Sequence, residues 1–279
     1  MEHEQARAES LEEQWQKLPL SNDFMFCHVL SDLDTCRQFI ERLLHIHIDR
    51  LEHVQPQKEM RVAADAKGIR FDLYIKGCDA VYDMEMQKSH KPDLLLRARY
   101  YQSTIDTDTL KAGDLYRKLT DVYIIFLCMF DPFSHGLPQY TVQRVFKEKP
   151  EAQCSNLVHE IYFNCTAYDQ VNDTAEQRIL KYIASGQAED EFTGRLDMLV
   201  REARRNNLWK KDYMTLEMMK TEEREAGIAI GRDEGFETGM EQAARNLLGI
   251  GLPESQIMQV TGLSEERIRQ LAQQSEHHL

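Results

Sequence analysis

The chain of 279 residues is short of several features that would fix its class at once. It has no run of about 18 apolar residues; the longest candidate is "VYIIFLCMF" at 122–130, too short to cross a bilayer as a helix. Its six cysteines, Cys27, Cys36, Cys78, Cys128, Cys154 and Cys165, include no C-x-x-C pair, which argues against a zinc site and for reduced, packed thiols. It also lacks a basic excess. The net charge is -13, with 20 Lys+Arg against 24 Asp+Glu in residues 1–150 and 14 against 23 in 151–279. A protein that grips nucleic acid by neutralising phosphates carries a positive platform, so any such binding here must come from a local patch or a metal ion. "MEHEQARAES" is charged rather than a signal sequence, and the expected location is the cytoplasm, with no membrane partner.

What the chain does have is 42% hydrophobic residues, enough for a packed core. Residues 1–17 are polar and read as a frayed terminus. The segment 21–46 reads as one or two amphipathic helices, from apolar residues recurring every three or four positions. "EMRVAA" (59–64), "IRFDLYI" (69–75) and "VYDMEMQ" (81–87) read as three strands in meander order, and 92–110 as a helix opened by Pro92. The unbroken apolar segment 121–130 predicts a central strand covered on both faces, with 140–146 and 159–165 adding strands at the sheet edge. The expected fold is α/β: a mixed central sheet flanked by helices, with a helical C-terminal tail.

That tail divides into a helical extension at 171–221, a stretch at 222–246 with Gly227, Gly231, Gly235 and Gly239 four apart, and a helix-turn-helix-like hairpin at 247–279. Each glycine costs a helix about 1 kcal/mol relative to alanine, so 222–246 is either a linker or a helix held by a close neighbour. Through this C-terminal helical region the chain is a candidate homo-oligomer. "REARRNNLWKK" (201–211) is the densest basic stretch and contains Trp209; it reads as a solvated helical face, with DNA contact by charge and stacking as the alternative, and His45 and His47 read as structural.

The chemistry concentrates in "RFDLYIKGCDAVYDMEMQ", residues 70–87, which places carboxylates inside strand-like runs. Alternation puts Arg70, Asp72 and Tyr74 on one strand face, and Asp83, Glu85 and Gln87 on one face of the next. An antiparallel turn at 77–79 makes opposed positions sum to 155 or 157, setting Asp72 across from Asp83 or Glu85. Opposed carboxylates repel. Either the face is solvated, or a hard divalent cation such as magnesium sits between Asp72 and Glu85.

Asp72 followed by Glu85-x-Gln87 resembles the PD-(D/E)XK nuclease signature. Together, "SNDFMFCHVL", "GIRFDLYI", "YDMEMQ", "RARYYQSTID", "GDLYRKLTDVYIIFLCMFDPF", the glycine repeat and "TGLSEERIRQL" resemble the Rpn family of recombination-promoting nucleases, also described as PD-(D/E)XK family transposases. The resemblance spans nearly the whole chain and implies a restriction-endonuclease-like core at 18–170. It also implies magnesium-dependent DNA cleavage, with manganese as a substitute, and roles in recombination, mobile elements or defence against foreign DNA. On this reading Asp72 and Glu85 hold the metal, Gln87 orients the attacking water where the wider superfamily has lysine, and Asp23 is a supporting acidic residue or a helix cap. In the next helix, Arg99 and Gln102 are expected to face the phosphate, with Arg97 nearby and Leu95, Ile105 and Leu110 packed inward. A catalytically silent nuclease fold that binds DNA or a partner protein is the alternative.

Overall fold

The computed structural model describes residues 11–63, 65–152 and 154–276. They fall into two compact units, the first ending at Tyr213 and the second beginning at Met214.

The first unit opens with helix α1 (residues 11–17), where a frayed terminus was expected. Residues 1–10 lie outside the described residues. The correction has a plain cause: Trp15 is fully buried, packed edge-on to Phe24 and against Tyr213, and its indole donates to the Arg204 carbonyl at 2.7 Å. Arg204 in turn donates to the Leu18 carbonyl, and Lys210 pairs with Glu12. Part of the basic stretch 201–211 therefore ties down the chain's start rather than facing solvent.

Helices α2 (Asp23–Val29) and α3 (Leu33–Leu44) follow, so the segment 21–46, read as one or two helices, holds two. Six strands then build the main sheet: β1 (Leu51–Pro56), β4 (Leu73–Gly77), β5 (Ala80–Gln87), β6 (Asp121–Cys128), β8 (Val158–Asn164) and β7 (Gln139–Val142), in that spatial order. β1 pairs antiparallel with β4, and β4 with β5; β5, β6 and β8 are parallel; β7 returns antiparallel on β8. The strand expected at 59–64 shrinks to β2 (Glu59–Met60), paired with β3 (Ile69–Arg70) in a separate two-stranded ribbon, and residue 64 lies outside the described residues. β1 takes its expected place beside β4.

The parallel β5–β6 pair demands a crossover, and helix α4 (Leu94–Thr109) supplies it. α4 lies over the sheet on a core of Phe71, Tyr74, Ala98, Tyr101, Ile105, Ile124, Phe126 and Tyr162. On alternation, Leu73, Ile75, Met84, Met86, Ile125 and Leu127 occupy the opposite face, and all are buried. Burying each such side chain stabilises by about 1.5–3 kcal/mol, so β5 and β6 anchor the unit. α5 (Thr174–Ser185) and α6 (Glu191–Arg205) complete it, with α5 against α3 and α6 against α2.

Helix α7 (Asn207–Gly249) is continuous through residues 222–246, and its four spaced glycines have no atom within 4 Å of where a Cβ would sit. In the second unit its C-terminal end packs with α8 (Glu254–Thr261) and α9 (Glu265–Glu276) around Ala244, Ile257, Ile268 and Leu271. Gly262, at φ 71°, ends α8 in the left-handed conformation that glycine adopts without strain. Arg267 closes the bundle by donating to Glu241 at 2.6 Å. Residues 277–279 of the expected hairpin lie outside the described residues. Among the described residues no helix is long and apolar enough to cross a membrane.

Candidate active site

Strand pairing selects one of the two registers the sequence left open. Leu73 pairs with Met84, Tyr74 with Asp83 and Ile75 with Tyr82, so opposed positions sum to 157 and Asp72 falls across from Glu85. β4 itself begins at Leu73, and beyond that point side chains replace the backbone ladder. The Glu85 carboxylate accepts from the Asp72 N–H at 2.9 Å, and the Asp72 carboxylate accepts from the Met86 N–H at 3.0 Å. Each carboxylate is thus locked by the other strand's backbone. The Asp72 carbonyl is held as well, accepting from the Gln57 N–H at 2.9 Å and the Cys27 thiol at 3.0 Å.

Regular alternation fails at this break. Phe71 was expected opposite Tyr74, yet it packs beside it and against Tyr101, ring centroids 5.7 and 5.2 Å apart. The carboxylate face is likewise not a solvated one: Asp83, Glu85 and Gln87 are 0, 2 and 6% exposed, because the crossover brings α4 across them. From α4, Arg97 donates to Glu85 at 3.0 Å, to Gln87 at 2.9 Å and to the Tyr101 hydroxyl at 3.0 Å, and it stands over the Phe126 ring. A cavity of 290 Å³ opens onto this group, lined by Asp23, Arg70, Asp72, Glu85, Gln87, Lys88 and Arg97 among others. It lies at the carboxyl end of β5, where a parallel α/β sheet characteristically presents its ligand site.

Asp23 reaches this cavity as the first residue of α2. The cap is its neighbour Asn22, whose side chain accepts from the Phe24 and Met25 N–H groups at 3.0 and 3.2 Å. Arg99 and Gln102 are not brought to the site: Arg99 is exposed, and Gln102 donates to Asp106 on its own helix. Leu95, expected inside, is 46% exposed; Leu94, Ala98, Tyr101 and Ile105 form the inner face. Arg70, Lys88 and Lys91 were not singled out beforehand as site residues. The signal for the two lysines was the basic connection "KSHK" between β5 and α4.

The electrostatics are unbalanced. Burial raises the Asp72 carboxyl to about 6, despite the Met86 N–H bond that favours its charge. Burial and then the Asp72 charge raise Glu85 to about 8, outweighing Arg97. Asp83 is raised well above the ordinary carboxylate range, first by burial and then by Glu85, and among the described residues neither of its oxygens has a hydrogen-bond partner. Two buried carboxyls and the half-buried Asp72 therefore crowd together, with Arg97 bonded to Glu85 and the Arg70 charge acting on Asp72. Asp72 and Glu85, hard oxygen donors bordering an open cavity beside the buried and unpartnered Asp83, fit a magnesium-type ion that takes one or two carboxylates and completes its shell with water. The acidic group Asp49, Cys78 and Asp79 at the β4–β5 turn is exposed, and its thiol already donates to Asp79 at 3.1 Å.

Comparison with curated proteins and with solved structures gives no significant match. The family described as PD-(D/E)XK nuclease family transposase matches residues 20–229, a span that takes in the sheet, α4 and every residue of the carboxylate cluster. The chain belongs to the PD-(D/E)XK nuclease transposase family.

Proposed function

We propose that the protein is a magnesium-dependent DNA endonuclease that hydrolyses phosphodiester bonds in recombination, mobile-element movement or defence against foreign DNA. The observation that carries this reading is the reciprocal lock of Asp72 and Glu85 beneath an open cavity, with Gln87 and Arg97 bonded to the same cluster. Preorganised charged groups of this kind act without rearranging at the moment of reaction.

Magnesium, or manganese in its place, held by Asp72 and Glu85 would supply Lewis-acid polarisation of the phosphodiester and lower the pKa of the attacking water. The remaining work belongs to side chains. Because the Gln87 amide oxygen accepts from Arg97, its NH₂ group is the part left to donate, and Gln87 positions water or a phosphate oxygen rather than removing a proton. Arg97 provides fixed positive charge where the wider superfamily has lysine, whereas the sequence had pointed to Arg99 as the arginine facing the phosphate. Asp23 adds a third carboxylate at the cavity wall.

The second reading, a nuclease fold that binds DNA or a partner without cutting, draws on one observation: both Glu85 oxygens already accept protein donors. Plasmid nicking in magnesium and in manganese separates the two. Wild-type nicking that Asp72→Ala and Glu85→Ala each reduce by at least 10³-fold, with melting curves intact, is the expected result. Full activity in either variant would sink the endonuclease reading, and DNA binding without nicking in the wild type would favour the silent module.

A further inference from the structure

We propose that the cleft lined by Lys67, Arg70, Lys91, Leu96, Arg97 and Tyr100 is the track for the DNA phosphates next to the one that is cleaved, an inference that rests on the nuclease reading above. This cleft has a volume of 420 Å³ and shares Arg70, Lys91 and Arg97 with the carboxylate cavity, so the two form one path. The lining grows more positive along it. Three acids, Asp23, Asp72 and Glu85, stand among the cations of the first cavity, whereas a single acid, Asp93, stands among the four cations of the second.

In a chain of net charge -13 such a local positive excess stands out. Many cations elsewhere are consumed by partners: Lys58 by Asp108, Lys118 by Asp114, Lys181 by Glu189 and Lys210 by Glu12. Among the described residues no ion pair engages Lys67 or Lys91. Their charges remain available to a polyanion. The wall is also built: the Tyr100 hydroxyl on α4 donates to the Lys67 carbonyl at 2.8 Å, tying the segment before β3 to the crossover helix, and Arg70 is fixed in the β2–β3 ribbon opposite Glu59. Leu96, 59% exposed, adds an apolar surface that suits sugar and base edges and offers nothing to a free anion. Cations in series leading away from an acidic centre match a strand whose scissile phosphate lies at that centre.

The test is equilibrium binding of a 16-base-pair fluorescent duplex in EDTA between 50 and 200 mM salt, followed by anisotropy. The slope of log affinity against log salt for Lys67→Ala/Lys91→Ala is expected to be shallower than wild type by about 1.8, roughly 0.9 for each lost phosphate contact. Lys149→Ala, an exposed lysine on another loop, should keep the wild-type slope. A double variant that melts like wild type and retains the wild-type slope overturns the track and leaves the cleavage test on Asp72 and Glu85 untouched. Displacement of the duplex by millimolar inorganic phosphate would mark a simple anion site and overturn it too. A wild-type protein that binds no duplex at all removes the track, while nicking by that same protein would still uphold the nuclease reading.

Discussion

Asp72 and Glu85 each carry a proton preference set by burial, and this has a directional consequence. Both carboxyls titrate higher in the folded chain than in the unfolded one, to about 6 and about 8. The folded state then binds more protons than the unfolded state across the window from about 4 to about 8. Stability contributed by these groups is present at the acidic end and is lost as pH rises through that window. In EDTA the melting temperature should fall from pH 5 to pH 8, and Glu85→Gln should flatten the decline. Magnesium must displace those protons, so its affinity should rise from pH 6 to pH 8 and level off above, with proton release visible by calorimetry in buffers of different ionisation enthalpy. Arg97 belongs to the same scale. Arg97→Lys keeps charge but cannot serve Glu85, Gln87 and Tyr101 together, and should lower nicking about 10-fold, whereas Arg97→Ala should lower it by 10²–10³-fold. Equal loss in both variants would show that the fork, not the charge, matters. Glu85 and Gln87 were legible in the sequence because a strand period of two puts them on one face, and Asp72 because the hairpin register sets it across from Glu85, although alternation itself breaks at Asp72. Arg97 was harder to distinguish from Arg99, because Leu94, Leu95 and Leu96 are consecutive and leave the helix phase ambiguous.

At the scale of the element, α4 is the piece that turns a strand pair into a site. Ala98 is fully buried where α4 meets the sheet, one residue after Arg97. Ala98→Leu forces extra methylenes into a packed core, which should destabilise by about 1–3 kcal/mol and also reduce nicking, although no site residue changes. Unchanged activity alongside a lowered melting temperature would mean that α4 tolerates displacement without moving its guanidinium. The same scale explains what the sequence disclosed and what it hid. The apolar run of β6 announced itself, since a parallel strand covered on both faces needs no alternation. β1, "LEHVQP", did not, because an edge strand with one buried residue at its start carries almost no pattern. The expected strand at 59–64 failed at Arg61, where the β2–β3 ribbon stops after two paired residues.

At the scale of the whole molecule, the described residues form two compact units of unequal size. The second rests on four buried side chains, Ala244, Ile257, Ile268 and Leu271, with partly buried leucines around them. Leu271→Ala should cost about 2–5 kcal/mol, enough to melt this small bundle. Circular dichroism should then show lost helix at low temperature, while the main transition, followed through buried Trp15, stays in place. Simultaneous loss of both signals would make the two units one cooperative body. The glycine spacing at 227–239 suggested a linker as readily as a helix, because composition alone does not weigh local propensity against the helical residues on either side.

All eight residues of β5 are buried; its backbone is paired with β6 along the whole strand and with β4 over residues 81–84, and beyond that the Asp72 carboxylate holds the Met86 N–H. Amides in such a strand exchange with solvent only when the entire unit opens. The floor of the carboxylate site therefore opens only with its unit, the opposite of a lid or a mobile loop. On the proposed endonuclease reading, whatever adjustment the encounter requires falls on the nucleic acid, and sites whose base steps bend or unstack easily should be cut in preference to stiff ones, without any side chain reading a base.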